Sequence, residues 1–155
     1  MAEEAERNRI LTYLEHRFGI SRELFDDYLL LSRKDSWYMM RKSCGEIQLS
    51  HLKPSKVGLK AFHKVGNFIK PTTRMIQIYG PAATRAKLEI DESQLSALLS
   101  GGDIPFETDI EKGYVILTLK GNRVMGLGLL INGRVRSQLP RKEVREAMLD
   151  PEAIR

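Results

Sequence analysis

Two dipeptides fix most of what the second half of this chain can become. Asn132-Gly133 separates two β-prone apolar segments, Val124–Ile131 and Arg134–Leu139. A type I′ turn needs positive φ at both central residues, which Asn-Gly tolerates and which suits the twist of paired strands. Gly121-Asn122 makes a tight turn one strand earlier, after the alternating run Tyr114–Lys120. Three strands joined by tight turns form a meander, and two earlier strands joining it would close a small mixed barrel. Just upstream, Asp91 with Gln94 three residues on is a capping-box pattern, Leu95, Leu98 and Leu99 make the apolar stripe of the helix it opens, and Gly101-Gly102 ends it. Pro140 opens a last amphipathic helix through Met148.

The first half is more helical. Ile10, Leu11, Leu14 and Phe18 recur at helical spacing and Gly19 supplies a left-handed stop, which predicts a helix from about Ala2 to Phe18. Ser21 caps a short second helix through Leu24 and Phe25. Tyr28–Leu31 and Trp37–Met40 flank the polar turn Ser32–Ser36 as a hairpin. Ser43–Ser55, with Gly45 and Pro54, reads as a connecting loop. Val57–Phe62 reads as a strand and Gly66-Asn67 as a turn. Pro71 suits the first residue of a helix carrying Met75, Ile76 and Tyr79, although Thr72, Thr73, Ile76, Ile78 and Tyr79 would also serve a strand. The expected class is α+β: an N-terminal α/β subdomain over residues 1–56, then a small mixed pseudo-barrel with a C-terminal helix over residues 57–150.

A chain of 155 residues is one domain, or two small ones sharing a core. It has no apolar run of membrane-spanning length, its first residues are acidic rather than signal-like, and its one cysteine, Cys44, forms no internal disulfide. These features point to the cytosol. Net charge is +5, from 25 basic and 20 acidic residues, but its distribution says more. Residues 47–88 hold eight basic residues and no acid; residues 113–142 hold six and no acid; residues 89–111 hold seven acids and no base. Such segregation produces a surface field that attracts a polyanion.

Catalytic and cofactor motifs are sparse. His16, His51, His63 and Cys44 show no zinc-like spacing, so no metal is expected. No G-x-S-x-G elbow or P-loop occurs, and no cofactor is expected. The paired acids Asp26-Asp27 suit solvated carboxylates at a helix end. Met125–Gly133 is glycine-rich, yet Ile131 occupies the third glycine position of a dinucleotide fingerprint. Arg123-x-x-Gly126-x-Gly128 fits the pattern by which acyl-CoA-dependent acetyltransferases hold a pyrophosphate, but those motifs feed a helix N-terminus and Leu129–Gly133 is a poor helix start. Otherwise Gly126 and Gly128 allow close backbone approach on a bent strand, or leave a bare strand on which a sugar–phosphate backbone can lie.

What remains is a basic stripe. The candidates for nucleic-acid contact are Lys60, His63, Lys64, Lys70, Arg74, Arg123, Arg134, Arg136, Arg141 and Lys142. Arg134 and Arg136 share one face of a strand, because side chains alternate. Arg141 and Lys142 would stand in the first turn of the last helix, where a phosphate would offset their conflict with the helix dipole. Phe62 and Phe68 interleave with these cations, and burial habits assign both to the core.

Gln94–Pro105, Gly113–Thr118, Gly121, Met125–Gly128, Asn132–Arg136 and Leu139–Arg141, in that order, resemble the PUA-like RNA-binding domain at the C-terminus of Nop/Sun-family rRNA cytosine methyltransferases. Gly58-Leu-Lys and Gly66–Pro71 are similar to the segment preceding that domain, so the resemblance covers about residues 57–142. An N-terminal half followed by such a module also resembles small ribosome-biogenesis proteins. The resemblance implies a compact pseudo-barrel that binds rRNA or tRNA, with Arg134, Arg136, Arg141, Lys64 and Lys70 facing the RNA. Leu129 stands where a lysine commonly follows the second glycine, and Gln138-Leu139 replaces a more polar stretch.

The methyltransferases of that family also need a Rossmann-like domain and two catalytic cysteines, neither of which these residues supply. The expectation is therefore a non-catalytic RNA-binding protein in ribosome biogenesis or rRNA/tRNA modification. Its partners would be RNA, a separate RNA methyltransferase or ribosome-assembly factors, and no membrane. The alternatives are the acetyltransferase on Arg123–Gly128 and a protein-interaction adaptor working through the acidic stretch 89–111.

Overall fold

The computed structural model describes residues 3–42 and 58–140. The expected loop Ser43–Ser55 and the final helix after Pro140 lie outside them, as do Arg141 and Lys142.

Helix α1 (Glu4–Tyr13) widens into a π-helical turn over Leu14–Phe18 and stops at Gly19, whose φ of 64° is the left-handed cap its sequence suggests. The Phe18 carbonyl, left without an intrahelical partner, accepts the backbone N–H groups of Thr84 and Arg85 at 2.9 and 3.0 Å. Ile10, Leu11, Leu14 and Phe18 are all buried. Ser21 caps a short 3-10 turn, Arg22–Phe25. Strands β1 (Tyr28–Arg33) and β2 (Ser36–Arg41) form the expected hairpin, with the turn narrowed to Lys34-Asp35.

Strand β3 (Leu59–Val65) runs three residues beyond the expected end because its partner β4 (Phe68–Pro71) returns across Gly66-Asn67. The four strands make one antiparallel sheet in sequence order, β1-β2-β3-β4, taking strands from both sides of position 57. Pro71 ends β4, opposite Phe62, rather than starting a helix. Thr72 is the N-cap instead, accepting from Met75 N–H at 3.1 Å, and α2 (Thr73–Tyr79) follows. Of the two readings of this segment the helix is the one formed. Its inner face, Met75 and Ile76, is buried.

The second sheet is the barrel-like one. The meander β7 (Gly113–Leu119), β8 (Arg123–Ile131) and β9 (Arg134–Ser137) forms as the turns require, with Asn122, Asn132, Gly121 and Gly133 all at positive φ. Strands β5 (Lys87–Glu89) and β6 (Asp103–Pro105) join its two edges, giving the order β5-β7-β8-β9-β6. β5 is parallel to β7, and the other pairings are antiparallel. Helix α3 (Glu92–Leu99) carries the complete capping box between Asp91 and Gln94. The fold is thus mixed α+β, with the second sheet curled as a PUA-like half-barrel. One hydrophobic cluster runs from Ile10 of α1 to Leu139 and takes side chains from both sheets. No helix among the described residues is long and apolar enough to cross a membrane.

Gly126 and Gly128 are buried in mid-β8 and paired on that strand. A Cβ on Gly126 would stand 2.6 Å from Leu139 Cδ2; one on Gly128 would stand 2.6 Å from Val135 Cγ1 and 3.2 Å from Leu117 Cδ1. Close packing is the reason for both glycines, and no sugar–phosphate backbone can lie on them. We expect Gly128→Ala, which meets the short and rigid Val135 side chain, to destabilise the protein by about 1–3 kcal/mol. Urea denaturation would show this as a lower midpoint at unchanged slope; an unchanged midpoint would refute the packing account.

Candidate nucleic-acid interface

The site begins with an irregularity. β2 and β3 pair as Trp37↔Phe62 and then Tyr38↔Lys60, so Ala61 is the extra residue of a β-bulge. In a regular strand Lys60 and His63, three apart, would face opposite ways. The bulge turns Lys60 to the same side as His63, and Lys70 of β4 sits directly opposite His63 on that side. The carbonyls exposed by the bulge are both taken by Thr72: its hydroxyl donates to Lys60 O at 2.8 Å, and its N–H to Ala61 O at 2.9 Å. Since Thr72 also caps α2, the next turn brings Arg74 to the same place.

The result is a groove of about 420 Å³ lined by Lys60, His63, Lys70 and Arg74 together with Leu59, Pro71, Thr72, Thr73 and Pro140. Four of the sequence candidates converge here, and among the described residues no carboxylate lines the groove. Burial holds His63 below the usual imidazole range, and the charges of Lys70 and Lys60 push it the same way. Burial also lowers Lys70. Its ammonium donates to Gln138 Oε1 at 2.7 Å and lies 5.6 Å from the centre of the Tyr114 ring.

Lys70 connects the groove to the second sheet. Tyr114, Leu129, Arg136 and Asp103 form one cross-strand row over β7, β8, β9 and β6, so their side chains share a face. Arg134 lies two residues from Arg136 on that face, and both are exposed. Arg134 is not free: its Nη2 and Nε lie 2.7 and 3.1 Å from Asp103 Oδ1. That hydrogen bond holds Asp103 below its ordinary carboxylate range and raises Arg134.

Two other candidates stand apart. Lys64 lies on the opposite face of β3 and lines a separate depression with Glu6, Asp35 and Trp37. Arg123 starts β8, about 26 Å from Ile131 at the other end of the strand. The Arg123–Gly128 pattern therefore lies wholly within a paired strand, which turns at Asn132-Gly133 into β9 and feeds no helix. Phe62 is buried as expected, but Phe68 is not, with 70% of its surface exposed. It follows the tight β3–β4 turn, beyond the reach of the core. Tyr114, Gln138 and Thr72 carry no sequence signal as site residues; their roles depend on contacts between segments distant in the chain. Among the described residues no three His, Cys, Asp or Glu side chains gather as a metal site would require.

Comparison with known proteins places this architecture. Residues 85–145 match the family model described as the methyltransferase RsmF PUA domain. The chain thus contains a PUA-like domain resembling the C-terminal domain of Nop/Sun-family methyltransferases. The chain is 26% identical over 145 residues, 94% of its length, to the ribosomal RNA small subunit methyltransferase F of Aeromonas salmonicida. It is 30% identical over 106 residues to the enzyme of the same name from Psychromonas ingrahamii. It spans 29% and 21% of the length of these two relatives. Arg123, Arg134 and Arg136 fall inside the matched domain, whereas the β3–β4 side of the groove precedes it.

The depressed His63 makes a pH prediction. Between its lowered folded pKa and its unfolded value of roughly 6.5, the unfolded chain binds more protons. Stability is then fully present above that unfolded value and is lost as pH falls through the window. Thermal midpoints taken from pH 7.5 to 5.5 should fall less steeply in His63→Gln than in the wild type. Inorganic polyphosphate, by compensating the charge, should reduce that difference. Equal slopes in the two proteins would show that His63 does not sense the groove's charge.

Proposed function

We propose that this chain is a non-catalytic RNA-binding module that acts in rRNA modification and ribosome biogenesis in the cytosol. A separate RNA methyltransferase acting as its partner would supply the chemistry. The observation that carries the reading is the groove of Lys60, His63, Lys70 and Arg74, lined by no carboxylate among the described residues and joined through Lys70 and Tyr114 to the arginines of a PUA-like sheet. The names of the relatives, rRNA methyltransferases, support the choice of rRNA over other polyanions.

In this reading Lys60, Lys70 and Arg74 hold phosphates in the groove, and His63 becomes a further donor once a phosphate raises its pKa. Arg136 extends the contact across β9, and Arg134 joins when RNA displaces Asp103. Arg141 and Lys142 follow Pro140, which lines the groove, and are assigned to the same footprint by sequence position. Phosphate contacts of this kind set affinity and register; specificity comes from RNA shape and unpaired bases. The acidic stretch 89–111 then tunes the arginines rather than forming the main contact surface.

Binding to rRNA fragments across a salt series tests this, with duplex DNA as control. Removing one phosphate-binding cation should reduce the salt slope by about 0.7 on single-stranded RNA. The triple variant Lys60→Ala, Lys70→Ala, Arg74→Ala should therefore bind with a slope shallower by about two units, and Arg134→Ala with Arg136→Ala by about one or more. Lys64→Ala with Arg123→Ala, on other surfaces, should bind as wild type. An unchanged slope in the groove variant would remove the groove from the interface. Weak binding indifferent to nucleic-acid type would overturn the function.

A further inference from the structure

Phe68 is the most exposed large apolar side chain described, at 70%, and Val65 beside it is 42% exposed. Neither has a packing role that explains an aromatic residue. Their placement does. Val65 pairs with Phe68 and His63 with Lys70 across the β3–β4 ribbon. Because side chains two apart share a face, Phe68 and Val65 lie on the face that carries His63, Lys70 and, through the Ala61 bulge, Lys60. The ribbon thus presents a bare ring beyond a cluster of cations. Phe68 and Lys70 are separated by about 7 Å along β4, a span that one nucleotide covers from its phosphate to its base.

We infer that Phe68 is a stacking platform for an unpaired RNA base whose phosphate is held in the neighbouring groove. The ligand this face takes is a single-stranded or bulged segment rather than a continuous duplex, because a paired base has both faces already stacked on its neighbours. Charge complementarity favours a nucleotide over an apolar protein segment: the exposed ring stands one same-face position beyond the Lys70–His63 pair, and none of the described residues lining the groove there is an acid. Base–aromatic stacking tolerates any base, so the contact selects for unpaired structure and not for sequence. This inference rests on the RNA-binding reading of the groove.

The test uses the full chain and two RNA probes of equal length, one single-stranded and one fully paired, with 2-aminopurine placed along the single-stranded probe. Phe68→Ala should weaken single-strand binding by roughly 5- to 150-fold, leave duplex binding and the salt slope unchanged, and abolish the 2-aminopurine quenching. Phe68→Trp should restore both affinity and quenching, while Phe68→Leu should not. Full binding by Phe68→Leu would overturn stacking in favour of simple apolar contact. Wild-type binding of both probes by Phe68→Ala, while Lys70→Ala weakens them, would overturn the platform and leave the groove standing. If neither variant changes binding, the RNA reading of this face fails with it.

Discussion

Helix α2 has only seven residues, yet the arrangement of the molecule depends on the two hydrogen-bonding side chains at its start and on its flank. Each sheet contains one β-bulge facing this helix. In the first sheet the bulge is at Ala61, and Thr72 takes up the carbonyls of Lys60 and Ala61. In the second, the register shifts between Leu117↔Gly126 and Thr118↔Val124, leaving Met125 as the extra residue. Gln77 Nε2 donates to its carbonyl at 3.2 Å. A bulge leaves backbone groups outside the ladder; the Lys60 carbonyl is exposed to water, while the part-buried Met125 carbonyl depends on Gln77 for its partner. The helix satisfies them and so fixes the two sheets relative to one another. The cationic groove is a consequence: it forms where the first bulge, the cap and the end of the second sheet meet.

A second tether runs from α1 to the barrel. Arg17 donates from Nε to the Tyr114 carbonyl at 2.8 Å. The neighbouring Gly113, at φ 137°, leaves the room its guanidinium occupies: a Cβ there would stand 3.3 Å from Arg17 Cζ. Trp37 Nε1 donates to Glu6 at 2.7 Å and ties the same helix to the first sheet. Tyr114 is therefore held from two sides, with its backbone fixed by α1 and its ring facing Lys70. That explains why a residue of the barrel meander can position a lysine of the ribbon.

The parts of this structure legible in the sequence are those decided by local chemistry. Asn132-Gly133 and Gly121-Asn122 declare their turns through positive φ, Asp91–Gln94 closes its own capping box, and Gly19 ends its helix. β5 and β6 are not legible: each has three residues, too few for a period, and Asp103 and Pro105 are poor strand formers that an edge strand tolerates. Pro71 resembles a helix start because its restricted φ fits one; long-range pairing with Phe62 assigns it to β4 and passes the cap to Thr72. The charge pattern marks the right segments but not the right side chains. Lys60, Lys64 and Lys70 look equivalent in sequence, and only the Ala61 bulge and the β3–β4 register place two of them together and the third on the opposite face.

The same separation gives the two halves of the proposed interface different electrostatic characters. In the groove no carboxylate among the described residues accompanies the cations, and burial, joined by the charges of Lys70 and Lys60, holds His63 below its ordinary range. An anion entering there relieves an existing conflict. On β9 the acidic segment intervenes, and Arg134 already has a partner in Asp103. That pair is exposed on both sides, and exposed pairs contribute little to stability. A phosphate can displace the carboxylate at little cost, but it must still compete. In the proposed interface the groove would therefore be the standing anchor and the β9 arginines a second contact made after it. Strong folding stability from the Arg134–Asp103 pair would contradict this order, because a pair that held the sheet together could not be surrendered to a ligand.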